Sequence, residues 1–243
     1  MDIIKVDAID STNRFLRELN REKALVSPVC VLAREQFSGK GQMGTTWQSE
    51  AGKNLTCSVF MKVDNFELAQ QFYISIAVSL AVCDTLRALG VQKLSVKWPN
   101  DILSDKQKIC GILIENIVKN GSLIGVIIGI GINVNQTKFY NLPQAASLKQ
   151  ILGKSLNIDE VLHILVTQLE KRFSHLKVAN FEMLKNEYKN VLFRKSKPST
   201  FQDVSGNAFV GIIQSVTDQG KLQVLLEDEI ITDFDLKEIK LLY

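Results

Sequence analysis

Apolar residues alternate with glycine or polar positions along two neighbouring runs, KICGILIENIV at residues 108–118 and SLIGVIIGIGINVN at residues 122–135. Alternation is the period of a strand, and Asn120-Gly121 between the runs is the dipeptide suited to a two-residue type I′ turn. The pattern predicts an antiparallel hairpin. With Asn120 and Gly121 as turn residues, Lys119 faces Ser122, Ile112 faces Gly129, Cys110 faces Gly131 and Lys108 faces Asn133. On the second strand Ile124, Val126, Ile128, Ile130, Ile132 and Val134 form a core face, while the other face carries Gly125, Gly129, Gly131, Asn133 and Asn135. Glycine inside a strand costs roughly 0.5 to 1 kcal/mol relative to alanine and marks a place where a ligand or another backbone comes close. Taken alone, the glycine floor suits either occupant. Lys108 at its rim favours an anionic ligand such as a carboxylate or phosphate.

The rest of the chain reads as alternating strands and helices. A strand at residues 3–6 leads to Ser11-Thr12-Asn13, where Ser11 or Thr12 is a natural N-cap for a helix with Phe15, Leu16 and Leu19 on one side. The same hydroxyls and amide also suit a polar ligand. A strand at residues 29–33 runs into a glycine-rich polar loop, too long for a simple connection and expected to close over a ligand. Gly39-x-Gly41-x-x-Gly44 spells the dinucleotide fingerprint, but no apolar helix follows and residues 45–48 read as extended chain, which excludes a Rossmann unit.

A strand at residues 55–62 precedes a helix over residues 66–89, whose Gln70, Gln71, Asp84 and Arg87 make it a core helix and not a membrane span. In SVKWPND, alternation puts Lys97, Pro99 and Asp101 on one side and Trp98 with Asn100 on the other. Pro99 bars a regular ladder there, so the segment suits a turn with an ion pair, and also a phosphate or metal site. Further helices are expected from Ser147, from Asp159 as cap to residue 176, and over residues 181–192. After KSKPS, short strands at residues 208–216, 222–226, 230–234 and 239–242 predict a small all-β, barrel-like domain. The expected division is residues 1–194 and 195–243.

Composition narrows the class. Hydrophobic content of 46% and charge of 23% are those of an ordinary soluble domain, and a formal net charge of +3 without a basic run gives no reason to expect DNA. Cys30, Cys57, Cys83 and Cys110 stand singly in apolar surroundings, as in a reducing cytoplasm. His163 and His175 lack a partner motif, so no zinc-type site is legible. The opening MDIIKV is strand-like and has no apolar signal core.

Five motifs, Ser11-Thr12-Asn13, GKGQMGTTW at residues 39–47, KWPND at residues 97–101, KICGIL from Lys108 and GIGIN from Gly129, occur in an order that resembles the biotin protein ligases. The resemblance implies an α+β fold: a mixed, largely antiparallel sheet with helices on one side, of the class II synthetase and biotin ligase kind, plus a small SH3-like β-barrel C-terminal domain. It implies an enzyme that makes biotinyl-5′-AMP from biotin and ATP with Mg2+, without a tightly bound metal, and transfers biotin to a lysine of a biotin carboxyl carrier domain. The arginine-rich motif of the lipoate and octanoate ligases is absent, and the lysines with Asp101 argue against a non-catalytic sensor. Ten residues precede Ser11, against the DNA-binding domain found before this motif in some relatives. The expected state is a cytoplasmic monomer or homodimer that binds neither DNA nor membrane.

By the same resemblance Lys108, Lys97 and Asp101 are catalytic, with Asp101 holding Mg2+ or orienting a proton transfer. Ser11, Thr12, Asn13, Gln36, Gly39, Lys40, Gly41, Lys108, Gly111, Gly129 and Gly131 match biotin-binding positions, and Lys40, Gln42, Trp47, Lys97, Asn100 and Asn133 match ATP-binding ones. Lys40, Gln42, Met43 and Thr45 stand where the family often has arginines, and a bidentate arginine is not equivalent to them.

Overall fold

The computed structural model describes the backbone of all 243 residues and every side chain except those of Met43, Asp64, Asn65 and Lys177. Strands β1 (Asp2–Ile9), β2 (Val29–Gln36), β3 (Leu55–Phe66), β4 (Leu94–Lys97), β5 (Asp101–Ser104), β6 (Gln107–Lys119) and β7 (Ser122–Ile132) form one sheet in the order β1-β2-β3-β7-β6-β5-β4. β1 and β2 are parallel and the other neighbours antiparallel. The sheet is mixed and largely antiparallel, as expected.

The β6–β7 hairpin forms, but in a different register. Lys119 faces Ser122 and Val118 faces Leu123, then Ile117 faces Gly125, leaving Ile124 as the extra residue of a β-bulge. Beyond the bulge every partner moves by one: Ile112 faces Ile130, Cys110 faces Ile132, and Gly111 faces Gly131. Ile124 is 39% exposed and leaves the core face assigned to it, whereas Val126, Ile128, Ile130 and Ile132 stay buried. A second irregularity on the β5 side pairs Ile102 with Cys110 but Leu103 with Lys108. Ile109 and Cys110 are consequently both buried, and Lys108 is returned to the glycine side of the sheet.

Helices do not lie on one side alone. α2 (Phe72–Ala88), α4 (Ile158–Lys177) and α5 (Phe181–Val191) cover the face carrying Ile128, Ile130 and Ile132, with short α3 (Leu148–Leu152) at its margin. α1 (Thr12–Lys23) crosses the opposite, glycine-bearing face, where Leu16 meets Val31, Phe60 and Ile127. α2 is apolar nearly all round because it is buried nearly all round. The stretch Leu68–Ala88 has the length and hydropathy of a membrane span, and 67% of its apolar 18-residue window is buried inside the protein. Phe66 closes β3 and does not open the helix, which begins at Phe72. Asn157, not Asp159, caps α4: its side chain accepts from the Asp159 N–H at 2.8 Å, and Asp159 pairs with Lys5. Arg172 of α4 is 9% exposed and joins Asp84 of α2 to Glu187 of α5, each at 2.6 Å, tying the three helices together.

A second, antiparallel sheet follows, in the order β11-β10-β9-β8-β12: β8 (Pro198–Asp203), β9 (Ala208–Val216), β10 (Leu222–Leu225), β11 (Ile231–Phe234) and β12 (Ile239–Leu242). Sequence pattern alone missed β8, where Phe201 is the only large apolar residue. The β9–β10 turn docks on α2 and the β4–β5 turn, with Tyr73 Oη donating to Asp218 Oδ1 and Trp98 Nε1 to Gly220 O. Gly220 has φ +92°, and a Cβ there would collide with the Phe72 ring, so both backbone and space demand glycine.

Candidate active site

The glycine face of β6 and β7 and the second sheet enclose a cavity of about 720 Å3. Gly111, Gly129 and Gly131 lie in its floor. Thr56 faces Gly131 and Ser58 faces Gly129 across β3 and β7, so the floor continues with hydroxyls. Two protein groups approach the glycines closely. Asn13 Oδ1 lies 2.5 Å from where a Gly129 Cβ would be, and the Trp47 indole lies where a Gly131 Cβ would be. Trp47 Nε1 is buried with no hydrogen-bond partner among the described residues, an unmet donor at the floor.

At one end the α1 start brings hydroxyls and amides together. Gln36 Oε1 accepts from Thr12 N at 2.9 Å and Thr12 Oγ1 at 3.1 Å, while Ser58 Oγ lies 2.6 Å from Thr12 Oγ1 and 2.5 Å from Asn13 Oδ1. Asn13 Nδ2 donates to Glu115 Oε2 at 2.8 Å. Ser11 is the N-cap residue of α1 but makes no side-chain cap bond, and Ser11, Thr12 and Asn13 are 6%, 3% and 6% exposed. These polar groups therefore serve the cavity wall more than the helix end.

At the other end are the cations. β4 and β5 make a tight hairpin in which Lys97 and Asp101 are backbone partners, so KWPND is a turn, but the ion pair of Asp101 is made with Lys108; Lys97 and Asp101 both line the cavity. Lys108 Nζ lies 2.7 Å from Asp101 Oδ1 and 5.9 Å from the centre of the Trp47 ring. Lys97 Nζ lies 4.7 Å from the centre of the Tyr243 ring, which packs edge-on against Phe193 at 5.0 Å. Burial holds the Lys97 ammonium below the usual lysine range; Asp101 pulls it back up, and Lys108 and Lys240 push it further down. One carboxylate thus sits between two lysines, leaving net positive charge for an anion.

Ser11, Thr12, Asn13, Gln36, Lys40, Gly41, Gln42, Trp47, Lys97, Asn100, Asp101 and Lys108 all line the cavity with the three floor glycines. Gly39 does not; its carbonyl accepts from Trp47 N at 2.9 Å, shaping the loop. Asn133 is also off the cavity, 4% exposed, with Nδ2 donating to Ala146 O at 3.1 Å. Asn100 reaches the cavity but spends Nδ2 on Ile112 O at 2.7 Å, holding the β4–β5 turn to β6. Met43, one of the positions where the family often has arginine, has its side chain outside the described residues.

Ser58, Glu115, Phe193 and Tyr243 were not singled out from sequence. Ser58 carried a signal, lying with Thr56 at alternate polar positions among apolar residues at the start of β3, whereas Glu115 stands beside Asn116 and did not stand out.

The two-sheet architecture is that of the biotin protein ligase from Aquifex aeolicus solved with biotin and ATP, with a TM-score of 0.81 at 23% identity over 99% of this chain and 98% of that one. Residues 6–133 match the model of the Biotin/lipoate A/B protein ligase family, and the chain belongs to that family. It is 37% identical over 126 residues to the bifunctional ligase/repressor BirA of Escherichia coli, covering 52% of this chain but only 38% of that relative. It is 27% identical over 220 residues to the biotin–[acetyl-CoA-carboxylase] ligase of Paracoccus denitrificans, covering 88% of this chain and 90% of that one.

Proposed function

We propose that the protein is a biotin protein ligase, which activates biotin with ATP and transfers it to a lysine of a biotin carboxyl carrier domain in the cytoplasm. The observation that carries this reading is the pairing, in one cavity, of a neutral hydrogen-bonding end at Thr12, Asn13 and Gln36 with a cationic end at Lys97 and Lys108. A ligand with a polar ring, an apolar linker and an anionic head fits from end to end. Biotin has that build.

A carboxylate is a poor acylating agent, so the first step joins the biotin carboxylate oxygen to the α-phosphorus of ATP and releases pyrophosphate. Negative charge builds on the phosphoryl oxygens as this bond forms. Lys108 and Lys97, fixed before the reaction by Asp101 and by Tyr243, stabilise that charge without reorganising. In the second step the carrier lysine's amine attacks the acyl carbon, AMP leaves, and the amine proton is lost to a base. Asp101 is the carboxylate beside Lys108 in the cavity lining, and we assign it as that base.

No group of three or more His, Cys, Asp or Glu that could hold a metal is found among the described residues. Asp101 fits a Mg2+ ion that arrives on the ATP phosphates, since Mg2+ is commonly held by one or two carboxylates together with substrate phosphates. When bound, the ion would offset phosphate charge. The catalytic portion is residues 1–194, and residues 195–243 form the SH3-like domain that covers the cavity.

The test is pyrophosphate release with ATP and each of biotin, lipoate and octanoate, followed by mass measurement of a carrier domain. Biotin alone should give release, and the carrier should gain one biotinyl group only with ATP and Mg2+. Transfer without nucleotide, or release with lipoate in place of biotin, sinks the assignment.

A further inference from the structure

The Asn13 end of the cavity rests on a chain of hydrogen bonds with fewer protons than acceptors. Glu115 Oε2 accepts from Asn13 Nδ2 at 2.8 Å, and Glu115 Oε1 pairs with Arg17 Nη2 at 2.5 Å. An ionised carboxylate accepts and never donates, so the Asn13 amide must turn its NH2 to Glu115 and its oxygen the other way. That oxygen lies over Gly129 in the cavity floor. Neighbouring Thr12 Oγ1 gives its proton to Gln36 Oε1 at 3.1 Å and can then only accept. Ser58 Oγ is within 2.6 Å of Thr12 Oγ1 and 2.5 Å of Asn13 Oδ1, yet has one proton for the two oxygens. Asn13 Oδ1 can take the Ser58 proton on one lone pair, and its second lone pair remains for a ligand's N–H.

We propose that Glu115, braced by Arg17, is a positioning residue that fixes the Asn13 carboxamide oxygen-first toward the cavity, and so makes this end selective for ligands carrying an N–H donor. The inference rests on the biotin reading, in which that donor is one N–H of the cyclic urea. Neither Glu115 nor Arg17 lines the cavity; both act through Asn13. Without the carboxylate the amide can turn over, present its NH2, and accept a ligand with an oxygen in place of the N–H.

The experiment measures KM and kcat for biotin and for its two cyclic-carbamate analogues, each with one ring N–H replaced by oxygen. It compares the parental protein with Glu115→Ala and Glu115→Gln. The parental protein should reject one analogue by about a hundredfold or more, as expected where a site built to bond an N–H is left unpaired. In Glu115→Ala that ratio should shrink about tenfold, with the change in KM and little in kcat for biotin. Glu115→Gln keeps an acceptor oxygen and should restore most of the discrimination. If Glu115→Ala does not fold, Glu115→Leu, apolar and of similar length, takes its place. An unchanged ratio in the folded Ala or Leu variant, or equal loss of kcat for biotin and both analogues, overturns the inference while leaving the biotin reading standing. A parental protein that uses neither biotin nor analogue overturns both.

Discussion

Lys108 shows how far a single residue can be argued. Its ammonium lies 2.7 Å from Asp101 Oδ1 and within reach of the Trp47 ring, so it is oriented before any ligand enters. Losing one preorganised donor of this kind typically costs about 2.7 to 4 kcal/mol in the transition state. Lys108→Ala should therefore slow biotinyl-AMP formation by about a hundredfold or more, read as single-turnover pyrophosphate release. A folded variant that makes the adenylate at the parental rate would remove Lys108 from the reaction. At this scale the sequence displayed the residues that face the cavity better than those behind it. Lys97, Asp101 and Lys108 stood out because charges flanking apolar strands need a reason. Tyr243 and Phe193 did not, because an aromatic residue near a strand end is ordinary core material until the contact with Lys97 is seen.

Elements were legible where local patterning decides them and wrong where a single extra residue does. The Asn120-Gly121 turn and the apolar runs fix a hairpin, but counting pairs outward assumes an uninterrupted ladder, and Ile124 interrupts it. Lys108 still reaches the glycine side because the β5–β6 irregularity reverses the shift. Gly125 stands beside the first bulge, but a strand glycine marks close approach as readily as a bulge, and the β5–β6 irregularity at Leu103 and Ile109 has no glycine or proline of its own. The loop between β2 and β3 is a further case. Its tip folds on itself, with Gly41 N donating to Thr45 O at 2.7 Å and Trp47 N to Gly39 O at 2.9 Å. Its C-terminal end is tied to the body: Glu50 N donates to Gln136 Oε1 and Asn135 N to Lys53 O. A segment held mainly by its own few hydrogen bonds opens at low free energy. Brief trypsin digestion should cut the free protein after Lys40 well before Lys53, and biotin with ATP should protect Lys40. Equal rates at Lys40 with and without both ligands would show that this tip is not a lid.

The whole molecule is organised so that the second sheet completes the cavity of the first, which no local pattern announced. Composition marked the change after Lys195, but nothing in a run of short strands says that the last one returns to the KWPND hairpin. There Gln144 Nε2 donates to Tyr243 O at 2.8 Å, and the Tyr243 ring lies over Lys97. Burial is the main reason the Lys97 ammonium is held below its ordinary range, and Tyr243 supplies part of that cover. A lysine so lowered loses its proton at a lower pH than one in the unfolded chain. Between those two values the unfolded state binds more protons, so this group's contribution to stability rises with pH there; below them the folded protein bears the full cost of the buried charge. Adenylate formation needs the charge, and its alkaline limb should fall below the ordinary lysine value. Tyr243→Ala admits water to Lys97, which should move that limb to higher pH while lowering the rate at neutral pH through a less fixed ammonium. Tyr243→Phe, which keeps the ring, should retain the parental profile. The measurement is the pH dependence of kcat/KM for ATP in pyrophosphate release, which reports the groups of the free protein. A Tyr243→Ala profile that is lower at every pH but has an unmoved alkaline limb would mean that the second sheet merely supports the cavity and does not set the charge within it.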